Sequence, residues 1–322
     1  MKKIAVFTSG GDSPGMNACI RAVVRTSVYH NIEVTGIMRG YDGMISNEFI
    51  SLDAGSVANI IQRGGTILKS SRSQEFMTKE GRKKAYDNLC SHQVEGIVCI
   101  GGNGTYTGAG IFYDEFGIPS IGVPGTIDND LYGTDFTIGY DTAVNTALDA
   151  IDKIRDTADS HNRVFLVEVM GRDSGFIALA VGIAGGAEAI LIPEDQYDEH
   201  KLFNHFTKQK NRKKSFSIIV VSEGENGGAT EAAKRLKNKF PDLDIRTSIL
   251  GHIQRGGNPS FRDRILATRL GVSAVERLLE GGKNECVGMI NNNVHFTSFD
   301  EAIQKTKPLP RYILDLVDKL SI

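Results

Sequence analysis

Short, unbroken apolar runs recur along this chain: KIAVFT at Lys3–Thr8, EVTGIM at 33–38, GIVCI with its core at 97–100, SIGVP at Ser120–Pro124, RVFLVEVM at 163–170, AILIP at 189–193 and SIIVVSE at 217–223. Apolar and polar positions do not alternate within them, so neither face of such a strand is left to water. Unbroken, β-branched runs of this kind predict parallel strands buried on both sides by helices. Helix-like segments fill the gaps, among them Met16–Tyr29 and 140–156. The longest apolar stretch, 176–192, is interrupted by Gly and Glu and predicts a packed helix and a buried strand, not a membrane span. The expected class is α/β, with functional loops at the carboxyl ends of the strands.

Composition adds a domain count and excludes some partners. The chain has 322 residues, 40% of them hydrophobic, which is more than one core usually holds, so two domains are expected. Its 37 basic and 39 acidic residues are well mixed and leave a net charge of −2. With no basic stripe and no acidic tail, nucleic acid is not an expected partner; a small ligand whose charge is met by a few arginines is. Cys19, Cys90, Cys99 and Cys286 form no CxxC pair, as expected of thiols in a reducing compartment. The opening MKKIAVFTSGGD lacks the apolar core of a signal peptide, and a cytoplasmic protein is expected. The basic stretch KQKNRKKS (208–215) reads as a surface loop.

Unusual residues gather after five of the predicted strands: Gly10-Gly11-Asp12, Gly101-Gly102-Asn103, PGTIDND (124–130), MGRDSG (170–175) and SEGENGG (222–228). These loops are expected to converge at one sheet edge. In GGNGTYTG (101–108) a strand, a glycine-rich turn and a helix start leave backbone N–H groups aimed at the occupant of the turn. The helix dipole favours an anion there. TSGGDSPGMN offers a second cradle at Gly10 and Gly11, and no GxxxxGK[ST] loop is present. In PGTIDND, Thr126, Asp128 and Asp130 share one side if the segment stays extended. Two carboxylates and a hydroxyl there can hold a metal or take a proton from an alcohol; the same spacing also suits an Asp-rich capping turn. Arg72, Arg163, Arg172, Arg246 and Arg255 supply planar guanidinium groups suited to phosphate, although a surface ion pair is the commoner fate of any one of them. His252 alone reads as a core or cap histidine. The pentapeptide IQRGG occurs at 61–65 and again at 253–257, an echo too short to define a repeat architecture.

In order and spacing, TSGGDSPGMN, QRGGT, GGNGTYTG, PGTIDND, VMGRDSG, SEG and LGHIQRGG resemble the bacterial ATP-dependent 6-phosphofructokinase family, from Ile4 to about Val287. The resemblance implies two Rossmann-like three-layer α/β/α domains with mostly parallel sheets and an active site in the cleft between them. Residues 1–138 with 251–305 would bind ATP and Mg2+, and 139–250 with 306–322 would bind fructose 6-phosphate. It implies transfer of the γ-phosphoryl group of ATP to the 1-hydroxyl of that sugar, with Asp128 as the base. An ordinary Asp has a pKa of roughly 3.9 and is ionised at neutral pH. Thr126 and Asp130 match residues that orient substrate and metal, and Arg72, Arg172 and the Gly11 N–H match groups that stabilise the transferring phosphoryl. Met170, Gly171, Arg172, Glu223, His252 and Arg255 match the sugar pocket. Arg163 and Arg246 match arginines that reach the 6-phosphate from an adjoining subunit, which implies a homotetramer with shared sites. Gly11, Tyr41, Arg72, Ser73, Gly102, Asn103, Gly104, Thr105 and Gly108 match the ATP side, and Asn103 and Asp128 the metal site. Gly104 and Gly125 stand where pyrophosphate-dependent relatives carry Asp and Lys, so ATP is the implied donor. An effector site for ADP or phosphoenolpyruvate is implied at Arg21, Arg25, Arg155, Gly186, Glu188, Arg212 and Lys214.

The chain departs from the family pattern in two places. The family loop reads GGDGS, and this chain has Asn103, which keeps an acceptor oxygen and loses the charge that Mg2+ prefers. At the effector site Asn59 replaces an acid, and Lys214-Ser215-Phe216 replaces a Lys-Lys-His run. One alternative is therefore a non-catalytic or weakly active regulatory homologue that binds sugar phosphate. Another is a kinase of a different sugar or nucleotide, because NAD kinases share a GGDGT loop but lack PGTIDND together with MGR. Restoring the acid with Asn103→Asp is expected to lower the apparent KM for Mg–ATP about threefold to tenfold, as one charge-assisted contact would. An unchanged Mg2+ and ATP dependence would place the metal role elsewhere. ADP is expected to leave the fructose 6-phosphate saturation curve nearly in place; a large leftward shift would contradict a weakened effector site.

Overall fold

The computed structural model describes residues 1–159, 163–194, 203, 206–207, 216–310, 316 and 319. Arg212, Lys214 and the rest of the 208–215 loop lie outside the described residues. The strands are β1 (Lys3–Thr8), β2 (Glu33–Ile37), β3 (Phe49–Leu52), β4 (Gly96–Gly101), β5 (Ser120–Pro124), β6 (Val164–Val169), β7 (Ala189–Leu191), β8 (Ser217–Ser222), β9 (Ile245–Ile249), β10 (Glu285–Ile290) and β11 (Asn293–Ser298). The helices are α1 (Met16–Tyr29), α2 (Tyr41–Ile45), α3 (Lys79–Ser91), α4 (Asn103–Phe116), α5 (Tyr140–Asp159), α6 (Phe176–Ala184), α7 (Gly228–Lys239), α8 (Phe261–Leu279) and α9 (Phe299–Gln304). All seven apolar runs read from the sequence form strands, and the 140–156 helix extends to Asp159.

The chain divides into two compact units: Met1–Thr142 with Arg255–Lys307, and Ala143–Gln254 with Pro308–Ile322. The first is built on a seven-stranded sheet in the order β11-β10-β5-β4-β1-β2-β3. Its inner strands run parallel, and the edge pairs β2–β3 and β10–β11 are antiparallel. Successive residues of β1 serve opposite cores. Ile4 and Val6 pack with α1 and α8 through Ile20, Val23, Leu270 and Ala274, whereas Ala5 and Phe7 pack with α3 and α4 through Leu89, Ala109 and Phe112. Burial on both faces is why the apolar runs are unbroken.

The second unit holds a parallel four-stranded sheet in the order β7-β8-β6-β9. Val164, Leu166, Ile219 and Val221 cover α7 through Ala229, Ala232 and Leu236. The five functional loops therefore do not meet at one sheet edge as the sequence reading expected. Those after β1, β4 and β5 lie side by side on the seven-stranded sheet, and those after β6 and β8 lie side by side on the other. The reason is topological: after α5 the chain starts a new sheet at β6.

One buried carboxylate anchors the start of α5. Asp263, 1% exposed, accepts hydrogen bonds from Gly139 N (2.9 Å), Thr142 N (2.8 Å) and the Thr142 hydroxyl. Its own N–H is capped by Ser260 Oγ, 3.2 Å away. Burial raises the Asp263 pKa, against the pull of the bonds from Thr142 and Gly139. Asp263→Ala leaves these donors without an acceptor and is expected to cost about 2–4 kcal/mol. The measurement is the thermal midpoint, and an unchanged midpoint would show that the bonds are replaced at no cost.

Candidate active site

Between β1 and β4 the strand order reverses, β2 continuing to one side and β4 to the other, which leaves a crevice outside their carboxyl ends. The strand ends come very close there. Ser9 N donates to Ile100 O at 3.0 Å, and a Cβ on Gly101 would lie 2.7 Å from Ser9 O and 2.3 Å from the Thr105 hydroxyl. Only glycine permits this approach. Beyond it, Asn103 opens α4, whose N-terminus has no side-chain cap. A Cβ on Gly102 or Gly104 would meet nothing within 4 Å, so the first turn faces open space, with Asn103 exposed.

The loop rests on Tyr41. Its ring stacks on Phe76 (centroids 3.9 Å apart), tilts against Phe7, and its hydroxyl donates to Thr105 O at 2.6 Å. Gly108 admits the ring, since a Cβ there would stand 3.0 Å from it. Tyr41 is 7% exposed and supports the loop from beneath. The Arg72-Ser73 segment is tied to the same edge: Gly10 N donates to Ser71 O (3.4 Å), and Ser71 Oγ lies 2.8 Å from both Arg39 O and Asp42 Oδ2. Arg72 itself is exposed. Arg255 lies directly against Gly11, where a Cβ would stand 2.3 Å from its Nη1, and donates to Asp12 O at 3.2 Å. The two IQRGG copies meet here, because a Cβ on Gly64 would fall 2.2 Å from Gly257 O. His252 is exposed.

The β5 loop follows immediately, with Gly125 N bonded to Gly101 O at 3.0 Å. It does not stay extended. Asn129 adopts φ 55°, so the alternation that would place Thr126, Asp128 and Asp130 on one side is broken. Asn129 Oδ1 accepts from Thr137 N (3.0 Å) and from Lys307 Nζ (2.9 Å), while its Nδ2 donates to Asp135 O at 3.3 Å. Asp128 is 3% exposed and its N–H donates to Thr126 Oγ1 at 3.2 Å; Asp130 is half-buried. Burial lowers the Lys307 pKa to about 8, against the charges of Asp135 and Asp130. The two glycines that the resemblance links to the choice of donor differ. Gly104 opens onto free space, whereas a Cβ on Gly125 would press Ile100 Cγ2 (2.8 Å) and Met16 Cε (3.0 Å). A side chain at 125 would have to displace both of these neighbours.

In the second unit the loops after β6 and β8 interlock. Glu223 Oε1 accepts from Gly171 N (3.2 Å) and Arg172 N (2.7 Å). These bonds hold Arg172 at φ 51°, a region that residues other than glycine seldom occupy. Met170 N donates to Oε1 of the fully buried Gln254 at 2.9 Å. Arg163 and Arg246 share one carboxylate: Arg163 Nε lies 2.8 Å from Asp244 Oδ2, and Arg246 Nε 3.1 Å from Oδ1. The Arg163 hydrogen bond, with the Arg246 charge, holds the Asp244 pKa below the usual carboxylate range.

The effector candidates fall in both units. Arg21 and Arg25 stand one turn apart on α1, and the Arg21 pKa is lowered by burial and by the Arg25 charge. Arg155 donates to Gly185 O and to Gly186 O (3.0 Å), with its guanidinium 5.7 Å from the Phe216 ring centroid. Glu188 Oε2 accepts from Ile218 N at 2.6 Å.

Sequence reasoning missed Gln254, Asp244 and Lys307. Asp244 was within reach of it, two residues before Arg246 and able to pair with it. Lys307 acts across 178 residues and no motif marks it. Among the described residues, no group of three or more His, Cys, Asp or Glu could hold a metal, and no helix is long and apolar enough to cross a membrane.

A family model described as phosphofructokinase matches residues 3–278. The chain is 58% identical over 322 residues to the ATP-dependent 6-phosphofructokinase of Cytophaga hutchinsonii, covering 100% of this chain and 98% of that one. It is 54% identical over 322 residues to ATP-dependent 6-phosphofructokinase 1 of Thermus thermophilus, covering 100% of both. It also matches the solved structure of phosphofructokinase from Saccharomyces cerevisiae with a TM-score of 0.90 at 34% identity, covering 100% of this chain and 47% of the yeast chain, so it spans about half of that relative's length. With a family match over most of its length and relatives of this identity, the chain belongs to the phosphofructokinase family.

Proposed function

We propose that the chain is an ATP-dependent 6-phosphofructokinase that phosphorylates the 1-hydroxyl of fructose 6-phosphate. The observation that carries the reading is the pairing, on adjacent strands β4 and β5, of an open glycine-walled helix N-terminus with the carboxylate turn at Asp128. The first suits the phosphates of ATP and the second supplies a base. Asp128 accepts the hydroxyl proton as the sugar oxygen attacks the γ-phosphorus; the bond to the bridging oxygen breaks and ADP leaves. Arg72, Arg172 and the Gly11 N–H offset the charge spread over the transferring group, so catalysis is positioning and electrostatics. Met170, Gly171, Glu223, His252 and Arg255 orient the sugar. Arg163 and Arg246, already gathered by Asp244, meet its 6-phosphate from a neighbouring copy in a homotetramer. Subunit rotation would then move both arginines and give cooperativity.

The donor set fits Mg2+, which binds through one or two hard oxygens plus substrate phosphates rather than in an all-protein cage. Asp128 and the Asn103 amide oxygen would hold it, and it would neutralise charge on the nucleotide phosphates. In this reading 1–138 with 251–305 carries the nucleotide, 139–250 with 306–322 carries the sugar, and the enzyme works in the cytoplasm. Arg155 supports a weak effector response: its guanidinium is engaged by two backbone carbonyls and stands over Phe216.

A coupled assay with ATP, Mg2+ and fructose 6-phosphate tests the reading. Turnover is expected with ATP and not with pyrophosphate. Asp128→Ala is expected to lower kcat by about 10²- to 10⁴-fold, the usual worth of a positioned base. Retained turnover in that variant would remove Asp128 from the mechanism.

A further inference from the structure

Lys307 comes from the segment that follows α9, outside every motif, and its half-buried side chain reaches the turn that ends PGTIDND. Nζ donates to Asn129 Oδ1 (2.9 Å) and to Asp135 O (2.7 Å). Asn129 stands between the two candidate catalytic carboxylates in a left-handed conformation, φ 55°. Asparagine enters this region more readily than other non-glycine residues, and its neighbours fix it there. Here they do so through four bonds: Thr137 N and Lys307 Nζ to Asn129 Oδ1, and Asn129 Nδ2 and Lys307 Nζ to Asp135 O. Of the two donors to Asp135 O, the Asn129 amide is the longer at 3.3 Å, and the ammonium is both shorter and charged. A methionine would fill the same volume and supply neither bond.

Charge points the same way. Asp128, Asp130 and Asp135 fall within one short stretch of the chain. The carboxylates of Asp130 and Asp135 face the ammonium and favour its charged form against burial. The nearby Lys305 is engaged elsewhere, paired with Glu301 and lying over Tyr132.

We propose that Lys307 is a positioning residue for the phosphoryl-transfer step: its ammonium locks the Asn129 turn and so fixes the direction in which Asp128 and Asp130 project. The proposal rests on the reading of Asp128 as base. Lys307 does not touch the reacting atoms, and its effect should fall on kcat rather than on nucleotide affinity.

The test uses the full chain and its Lys307→Met and Lys307→Arg variants, with steady-state kinetics and hydrogen exchange of the 125–138 segment. A misplacement of about 1 Å costs about 100-fold, so Lys307→Met is expected to lower kcat about 10- to 100-fold with KM for ATP changed less than about threefold. Lys307→Arg is expected to recover most of the loss. The wild-type kcat should fall as pH rises through about 8, and the arginine variant, which stays charged, should lack that fall. The Thr137 amide should exchange faster in the methionine variant. A folded Lys307→Met enzyme with wild-type kcat overturns the proposal, as does an alkaline limb unchanged in Lys307→Arg. If the methionine variant does not fold, the arginine pH profile decides. If the wild type shows no turnover with any sugar phosphate, the functional reading fails separately. The catalytic role of Lys307 then falls with it, and Thr137 protection in Lys307→Met tests only whether Lys307 locks the Asn129 turn.

Discussion

The candidate site depends on how closely two parallel strand ends can approach. At the carboxyl ends of β1 and β4, Gly101 leaves no side chain between Ser9 and Thr105. That approach sets the glycine loops after β1 and β4 beside each other and brings the β5 turn alongside through Gly125. The crevice needs no special device to attract an anion. It is the default consequence of a parallel sheet whose strand order reverses, with an uncapped helix at the reversal.

Around this frame, aromatic packing and shared carboxylates do most of the positioning. Tyr41 supports the glycine-rich loop after β4 through a ring stack and one hydrogen bond to a backbone carbonyl. Glu223 ties two backbone N–H groups of the β6 loop, and Asp244 gathers two arginines. In each case one side chain restricts the backbone or side-chain groups beside it. Restriction of that kind is the main protein contribution to phosphoryl transfer, where little covalent chemistry falls to side chains. The left-handed residues Asn129 and Arg172 fit the same pattern: both sit in functional loops, and both are held by bonds from neighbouring segments.

Most strands buried on both faces were legible because an unbroken apolar run survives there, and β1 and β5 have the bounds the sequence implied; the inner strand β10 was missed, its run ECVGMI being interrupted by Gly288 and led by Glu285. The edge strands β3, β9 and β11 were not legible. Each is largely exposed or bound on one side only, so polar residues such as Ser51, Thr247 and His295 are tolerated and the apolar signal is lost.

What the sequence settled by itself was the local chemistry: which loops are rich in glycine, which carry paired carboxylates, and which arginines stand beside them. These are properties of short segments, written in consecutive residues. What only the tertiary structure decided was which of those loops share a sheet, how the PGTIDND segment turns, and which distant side chains brace it. The five loops divide between two sheets, and the turn at Asn129 is set by partners at Thr137, Asp135 and Lys307. A backbone bend held from so far along the chain leaves no periodicity and no motif, because the interaction that fixes it exists only once the chain has folded.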